Sequence, residues 1–471
     1  MSYTVIASRE VDSGDSDARA DRPVDSVIEL TEVRAPGGQT ATITTITHRL
    51  RSGSEDRPVI FVFNGGPGAA SAFLEFGLFG PERIDLPDPL DPPTHPPFAL
   101  VSGADSPLDV ADVVLIDPPG TGLHRLEEAA ERSFLGTTAD AHTMLAVIAA
   151  WCSRHGRSNS PRYLAGESYG TTRIASMLSL SMGGPTHGGV LRGLGFSGVL
   201  LLGSSLDLGR RGHGDIAIVN AFSAMAATAW YHGAVSRDVA LDEHIACAGR
   251  YARTHLLGLL YAGFASSHAE ISTAAETMSG FLGVRPEAIS AQRLRIDPMT
   301  FSRLVLADRG LRVGIYDSRF TAPLHGDPHD PVADDAAMGR YSAAFAWAGS
   351  SRMRSSGLDA HGDYRLVDFS QVNGRWDWGA GPGVPLFGDA IADLARALSR
   401  SSSLRVFFGT GCFDLATPLG AAEYAASHLT DDATRVSTHV YESGHMPYLG
   451  DAPRRRLARD IRAFVTGADD V

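Results

Sequence analysis

The chain has no lysine, so all 41 of its basic residues are arginine. That reflects composition, and no function is read from it. A basic surplus is missing too: the formal net charge is −13, which argues against nucleic acid or an anionic membrane surface as partner. Cysteine is scarce. Cys152, Cys247 and Cys412 are three in number and widely spaced, which excludes a disulfide framework and reads as free thiols in a reducing compartment. The longest apolar stretches, Met144 to Cys152 and Leu256 to Phe264, are too short and interrupted to span a bilayer. Met1 to Leu30 is polar and acid-rich, without the basic start and apolar core of an export signal. The expectation is a cytoplasmic chain. Its 471 residues, 44% of them apolar, suffice for a large core, as one domain with an insertion or as two.

What is present is a series of apolar runs that end in glycine. Ser26 to Arg34 and Thr40 to Leu50 read as two β-branched strands around the turn Pro36-Gly37-Gly38-Gln39. Pro58 to Phe63 is continuously apolar and stops at Asn64-Gly65-Gly66-Pro67-Gly68. Asp112 to Asp117 repeats the pattern and stops at Pro118-Pro119-Gly120-Thr121-Gly122. Runs without polar alternation fit central strands covered on both faces. A helix is expected around Ala139 to Arg154. Strands at Leu194 to Leu202 and Leu404 to Phe408 continue the series, Arg435 to Tyr441 is the final strand, and Gly183 to Gly189 is a loop. Strands alternating with helices predict a mostly parallel sheet with helices on both faces. Ligands of such sheets gather where strands end at their carboxyl side.

Between Arg210 and about Pro385 the pattern changes. Ala217 to Tyr231 and Val239 to Phe264 are alanine-rich and helical in character, and after Arg293 the chain reads as loop. The organisation expected is a polar tail over 1–24, a core over 25–209, a cap insertion over 210–385 and the rest of the core over 386–471.

Gly166-Glu167-Ser168-Tyr169-Gly170 lies between a strand, Pro161 to Ala165, and a helix beginning at Thr171. A Gly-x-Ser-x-Gly turn from strand to helix holds a serine in a strained position with its hydroxyl exposed above the sheet. The glycines are needed because larger side chains would strike neighbouring backbone. A serine nucleophile requires a base and a group that orients the base. Both follow in chain order: Asp414 just past the strand at Leu404 to Phe408, and His445 in the Gly-bearing loop past the last strand. Taken alone, Asp414 could be a helix cap before Leu419 to Leu429 and His445 an ordinary loop histidine. Three elements in this order on strand ends favour a triad.

These segments resemble the serine carboxypeptidases, bacterial branch, of the α/β-hydrolase superfamily. The resemblance rests on Asn64 to Gly68, Gly166 to Gly170, the Asp414 turn and Gly444-His445-Met446, and runs from about residue 25 to the C-terminus. Tyr316 to Thr321 and Trp376-Asp377-Trp378 look like habits of the bacterial branch. The resemblance implies an α/β-hydrolase fold with a largely helical cap. It also implies Ser168 as nucleophile, His445 as general base and Asp414 as its orienting acid, with no cofactor. The backbone N–H groups of Gly66 and Tyr169 would form the oxyanion hole. Asn64, Gly65 and Glu167 would bind the terminal carboxylate of a peptide, and Met446 would line the pocket for its last side chain. A carboxylate facing a carboxylate repels unless the two share a proton, so Glu167 favours acidic pH and discriminates against C-terminal amides.

Two departures stand out. Leu78 occupies the place of a second glutamate found in many family members, and Ala69 replaces a cysteine. Other signals read more simply. His325-Gly326-Asp327-Pro328-His329-Asp330 has ligand-type residues without a spacing that fixes a coordination geometry, so it reads as a solvated loop and no metal is expected. Asp117 to Gly122 lacks the Lys-Ser/Thr ending of a phosphate loop. Cys412 reads as a small packing residue. The expected activity is removal of C-terminal residues from peptides through an acyl-enzyme on Ser168. An acyltransferase or esterase on the same triad is the alternative, and a non-catalytic binding protein a more distant one. The partner is a peptide or acyl substrate, with a homodimer left open.

Overall fold

The computed structural model describes residues 1–11, 23–54, 56–182, 194–207, 214–325, 329–358, 364–379 and 389–468. Nine strands form the central sheet: β1 (Ser2–Val11), β2 (Val24–Arg34), β3 (Thr40–Leu50), β4 (Val59–Phe63), β5 (Asp112–Ile116), β6 (Arg162–Glu167), β7 (Gly198–Leu202), β8 (Arg405–Gly411) and β9 (Val436–Tyr441). Their spatial order is β1-β2-β3-β5-β4-β6-β7-β8-β9. The first three strands and the β3–β5 pair are antiparallel, and every pairing from β5 to β9 is parallel. The longer helices are α1 (Thr137–Arg154), α2 (Tyr169–Ser181), α3 (Asp215–Tyr231), α4 (Leu241–Tyr251), α5 (His268–Leu282), α6 (Met338–Ser355), α7 (Ala390–Arg400), α8 (Leu419–Ala426) and α9 (Asp451–Thr466).

The apolar runs form central strands because both sheet faces are covered. Along β4, Ile60 and Val62 join the apolar cluster on one face, while Val59, Phe61 and Phe63 join the cluster on the other, as the two-residue strand period requires. All five are fully buried. Strand order reverses beside β4, which neighbours both β5 and β6. The connections leaving β4 and β6 therefore open a crevice at their carboxyl ends.

The structure departs from the expected organisation at two places. The polar tail over 1–24 contains β1, an edge strand paired from Ser2↔Arg34 to Val11↔Ser26. An edge strand needs little apolar surface: only Val11 of β1 is buried, which is why its polar sequence resembled a tail. The second concerns the insertion, whose expected ends at 210 and 385 fall outside the described residues, as does the loop at Gly183 to Gly189. Its first half is a helical cap with its own core, built from α3, α4, α5 and the segments as far as Val313. The part after Arg293 is not all loop. Helix α6 buries Met338, Tyr341, Ala344, Phe345, Ala348, Arg352 and Met353 at helical spacing. It packs on the sheet-face cluster rather than on the cap, with Phe345 against Phe73 at 5.0 Å between ring centroids. Two glycines, several serines and flanking Asp-rich loops hid that periodicity. No helix among the described residues is long and apolar enough to cross a membrane.

Candidate active site

The site is built by strand register. Phe63 of β4 pairs with Gly166 of β6, so the next residues, Asn64 and Glu167, emerge side by side. Asn64 Nδ2 donates to Glu167 Oε1 at 2.8 Å. Glu167 pairs with Leu202 of β7, and the Ser168 N–H donates to the Leu202 carbonyl at 2.9 Å. Ser168 then turns the chain into α2 with φ 57° and ψ −126°, a region side-chain-bearing residues seldom adopt. Its side chain makes no helix-cap hydrogen bond, and the residue is partly exposed at the mouth of the crevice.

The glycine-rich loop after β4 fits against this turn. A Cβ on Gly65 would lie 2.4 Å from the Tyr169 nitrogen and 2.5 Å from the Glu167 carbonyl oxygen. Gly66 has φ +99° and precedes a cis proline. Neither the Gly66 nor the Tyr169 N–H donates to a protein acceptor among the described residues. Gly65→Ala must push the loop away from the turn, because the obstructing atoms are backbone. The expected result is a folded protein whose kcat falls about a hundredfold, measured by steady-state kinetics. An unchanged kcat would show that the loop's position does not matter to the reaction.

Strands β8 and β9 bring two further residues to the same sheet end. Asp414, three residues past β8, is fully buried. Its Oδ1 accepts the N–H groups of Ala416 and Thr417, each at 2.8 Å. Its Oδ2 lies 2.8 Å from His445 Nδ1 and accepts the Thr417 hydroxyl. As a carboxylate Asp414 can only accept, so Nδ1 carries the proton and Nε2 is left with its lone pair. The His445 N–H donates to the Tyr316 carbonyl at 2.6 Å, and the Tyr316 ring meets the imidazole edge-on at 5.3 Å. Gly203, which follows the Ser168 partner Leu202, sits against the same imidazole: a Cβ there would be 3.1 Å from its Cε1 and Nδ1.

Glu167 is 4% exposed, and burial pushes its carboxyl up to about 7. His445, Tyr448 and Asn64 oppose that shift, while Asp414 adds to it. Neither Glu167 Oε2 nor the neighbouring Tyr448 hydroxyl has a partner in regular hydrogen-bond geometry among the described residues. Leu78 is buried in the sheet-face cluster with Tyr448 and Met446. Glu75, three residues before it, is not a substitute acid. Its Oε1 is 3.1 Å from Arg352 Nε and 3.5 Å from His48 Nε2.

Several contributors were not singled out by the sequence reading. The Thr417 hydroxyl touches both Asp414 and His445, the latter at 3.0 Å. Arg173 of α2 is fully buried beneath the elbow. It binds Asp140 of α1 at 2.5 Å and the Asn64 carbonyl at 2.5 Å, and lies over the rings of Phe63 and Tyr169. A charged residue in each of two helices, 33 positions apart, was the only available signal. Cys412 is buried, and burial pushes its thiol well up, so it packs rather than attacks. Asp330 accepts the N–H groups of Val332 and Ala333, as a loop aspartate does. Residues 326–328 of that segment lie outside the described residues. Asp117 is likewise pushed up to about 7 by burial while accepting the Ser71 N–H.

A mostly parallel sheet whose strand-to-helix elbow carries a serine defines an α/β hydrolase. The particular kind follows from the sequence: the serine carboxypeptidase family matches residues 47–291, more than half of the chain, and the protein belongs to that family. Among solved structures it is similar to Kex1, a prohormone-processing carboxypeptidase from Saccharomyces cerevisiae. That likeness has a TM-score of 0.54 at 14% identity and covers 98% of this chain and 91% of that one; it is a likeness of fold. A putative aryl esterase from Burkholderia cenocepacia is similar at a TM-score of 0.39 and 13% identity, over 94% of this chain and 100% of that one. No curated protein matches the sequence.

Proposed function

We propose that the protein removes residues one at a time from the C-termini of peptides, with Ser168 as nucleophile, His445 as general base and Asp414 as the acid orienting it. His445 Nε2 takes the Ser168 proton as Oγ attacks the last peptide carbonyl. The N–H groups of Gly66 and Tyr169 receive the developing oxyanion. His445 then gives its proton to the leaving amine and activates the water that resolves the acyl-enzyme. Met446 belongs, in this reading, to the apolar wall that receives the last side chain. The three free cysteines, two of them buried, support placement in a reducing, cytoplasmic compartment.

The observation that carries this reading over an esterase or acyltransferase is the Glu167 carboxyl. It is buried next to Ser168, held by Asn64 and poised to ionise near pH 7. A neutral acid can donate a hydrogen bond to a substrate carboxylate, whereas the ionised form repels it. Recognition of a free C-terminus is therefore present below about pH 7 and is lost as pH rises through that value. A bound substrate carboxylate raises the proton affinity further and moves the limb upward. With Leu78 where many relatives carry a second glutamate, and Glu75 engaged by Arg352 and His48, Glu167 acts alone in this.

The test is catalytic efficiency against pH on matched peptides ending in acid or amide. The wild type is expected to prefer the acid, most strongly at low pH. Glu167→Gln donates without needing the proton. It should flatten the pH dependence and lower efficiency on the acid about tenfold, the lower end for a hydrogen bond to a charged partner. Equal handling of acid and amide by the wild type would favour the esterase or acyltransferase.

A further inference from the structure

Residues 364–379 run as a strap across the loops at the carboxyl ends of the central strands. Arg365 exchanges backbone hydrogen bonds with Gly122, in the loop after β5. Leu366 accepts the Ala70 N–H, and Asp368 donates its N–H to the Gly68 carbonyl at 2.8 Å, both in the loop after β4. The fit at Gly68 is close: a Cβ there would lie 2.6 Å from the Asp368 carbonyl oxygen. Asn373 Nδ2 donates to the Gly66 carbonyl at 3.4 Å. The strap then reaches the head of α1, where Asp377 accepts the Thr137 N–H and donates to the Leu135 carbonyl.

Its tryptophans enclose the residue after the elbow serine. Trp376 and Trp378 meet the Tyr169 ring edge-on, at 5.3 and 5.7 Å between centroids. The Arg173 guanidinium lies over the same ring at 5.2 Å. Trp376 Nε1 and the Tyr169 hydroxyl both donate to Thr137 Oγ1. Tyr169 begins α2, so the contacts that clamp its ring hold the Cα from which its backbone N–H is carried. Gly66, with φ +99°, has no side chain to fix its own peptide planes.

We infer that the strap is a positioning element of the oxyanion hole: Asp368 and Asn373 fix the loop bearing the Gly66 N–H, and Trp376 with Trp378 fixes the residue bearing the Tyr169 N–H. The inference rests on the proposed roles of Ser168, Gly66 and Tyr169. It assigns a task to Trp376-Asp377-Trp378, which the catalytic reading leaves idle. Oxyanion donors act through preorganisation, so a small displacement weakens transition-state binding while leaving ground-state binding intact.

The experiment compares the wild type with Trp376→Ala, Trp376→Phe and Asn373→Ala. Each is measured for kcat and KM on a free-acid peptide. Each is also measured for affinity toward a peptidyl boronate, which mimics the tetrahedral intermediate, and toward the shortened product peptide, and for Ser168 labelling by a fluorophosphonate. Trp376→Ala should lose about ten- to a hundredfold in kcat and in boronate affinity. Its KM and product affinity should stay within about twofold. Trp376→Phe keeps an aromatic edge and should recover most of the loss. Asn373→Ala, at a partly exposed position, should show the same split more weakly. Thermal melts of all four identify any variant that unfolds, and Trp376→Phe and Asn373→Ala then decide. Variants equal to wild type in kcat and boronate affinity, or changed only in KM, overturn the strap. A wild type that is not labelled at Ser168 overturns the site reading, and the strap with it.

Discussion

Ser168→Ala should fold like the wild type and lose turnover by a factor on the order of 10⁴ to 10⁶. The fold survives because the Ser168 hydroxyl makes no helix-cap bond and the turn is held through the backbone, by the N–H to Leu202 and the Thr171 N–H to the Ser168 carbonyl. Alanine retains the Cβ and therefore the same strain at φ 57°, so stability should hardly change. What is lost is the atom that forms the acyl bond in the proposed mechanism. The residual rate would reflect the oxyanion donors and substrate positioning alone. A fluorophosphonate should label the wild type at Ser168 and leave the variant unlabelled. Cys412 should stay unmodified in both, since its thiol is buried and held protonated. Labelling at Cys412, or near-full turnover by the variant, would show that the nucleophile lies elsewhere.

The residues that build the site differ in how far they can be read from the chain. Asn64, Glu167 and Asp414 each follow an apolar run that stops at a glycine-bearing turn, and His445 lies in a Gly-bearing loop past the last strand; strand ends are a local signal. Parallel register then brings such ends together, so order along the chain becomes proximity in space. Arg173 and Asp140 carry no such signal. Each is a charge inside a helix that the local pattern would place in solvent, and only the packing of α2 against α1 pairs them. Thr417 is similar: its hydroxyl reaches both Asp414 and His445 because the turn after β8 folds back by three residues. The strap is harder still. Its contacts join positions some 200 to 310 residues apart, such as Trp376 with Tyr169 and Asn373 with Gly66, and no periodicity marks them. β1 and α6 are hard to read from the chain for the opposite reason. Their local patterns are diluted, one by the polar face of an edge strand and the other by glycine and serine, and tertiary pairing supplies the rest.

Asp414→Asn should cut kcat by roughly 10⁴ while leaving product affinity and melting temperature nearly unchanged. The direction follows from the groups around the carboxyl. Oδ1 accepts two backbone N–H groups, from Ala416 and Thr417. A substituted amide must turn its oxygen toward them, because its NH₂ cannot accept. The NH₂ then occupies the place of Oδ2, facing His445 Nδ1 at 2.8 Å in the native geometry. Two donors cannot share that contact, so the imidazole proton moves to Nε2. A ring protonated there cannot take the proton of Ser168 Oγ, even with every heavy atom in place. The Thr417 hydroxyl also loses Oδ2 as acceptor and can donate to the freed Nδ1 instead, 3.0 Å away, which holds the wrong tautomer more firmly. Thr417→Val in the Asp414→Asn background removes that second lock. It should return a part of the lost rate, whereas in the native background it should cost only a few-fold. The measurement is kcat for the two single variants and the double variant, with ring ¹⁵N shifts of His445 reporting which nitrogen carries the proton. A single Asp414→Asn variant that kept a near-native rate with Nδ1 protonated would move the orienting role to another carboxylate at the strand ends.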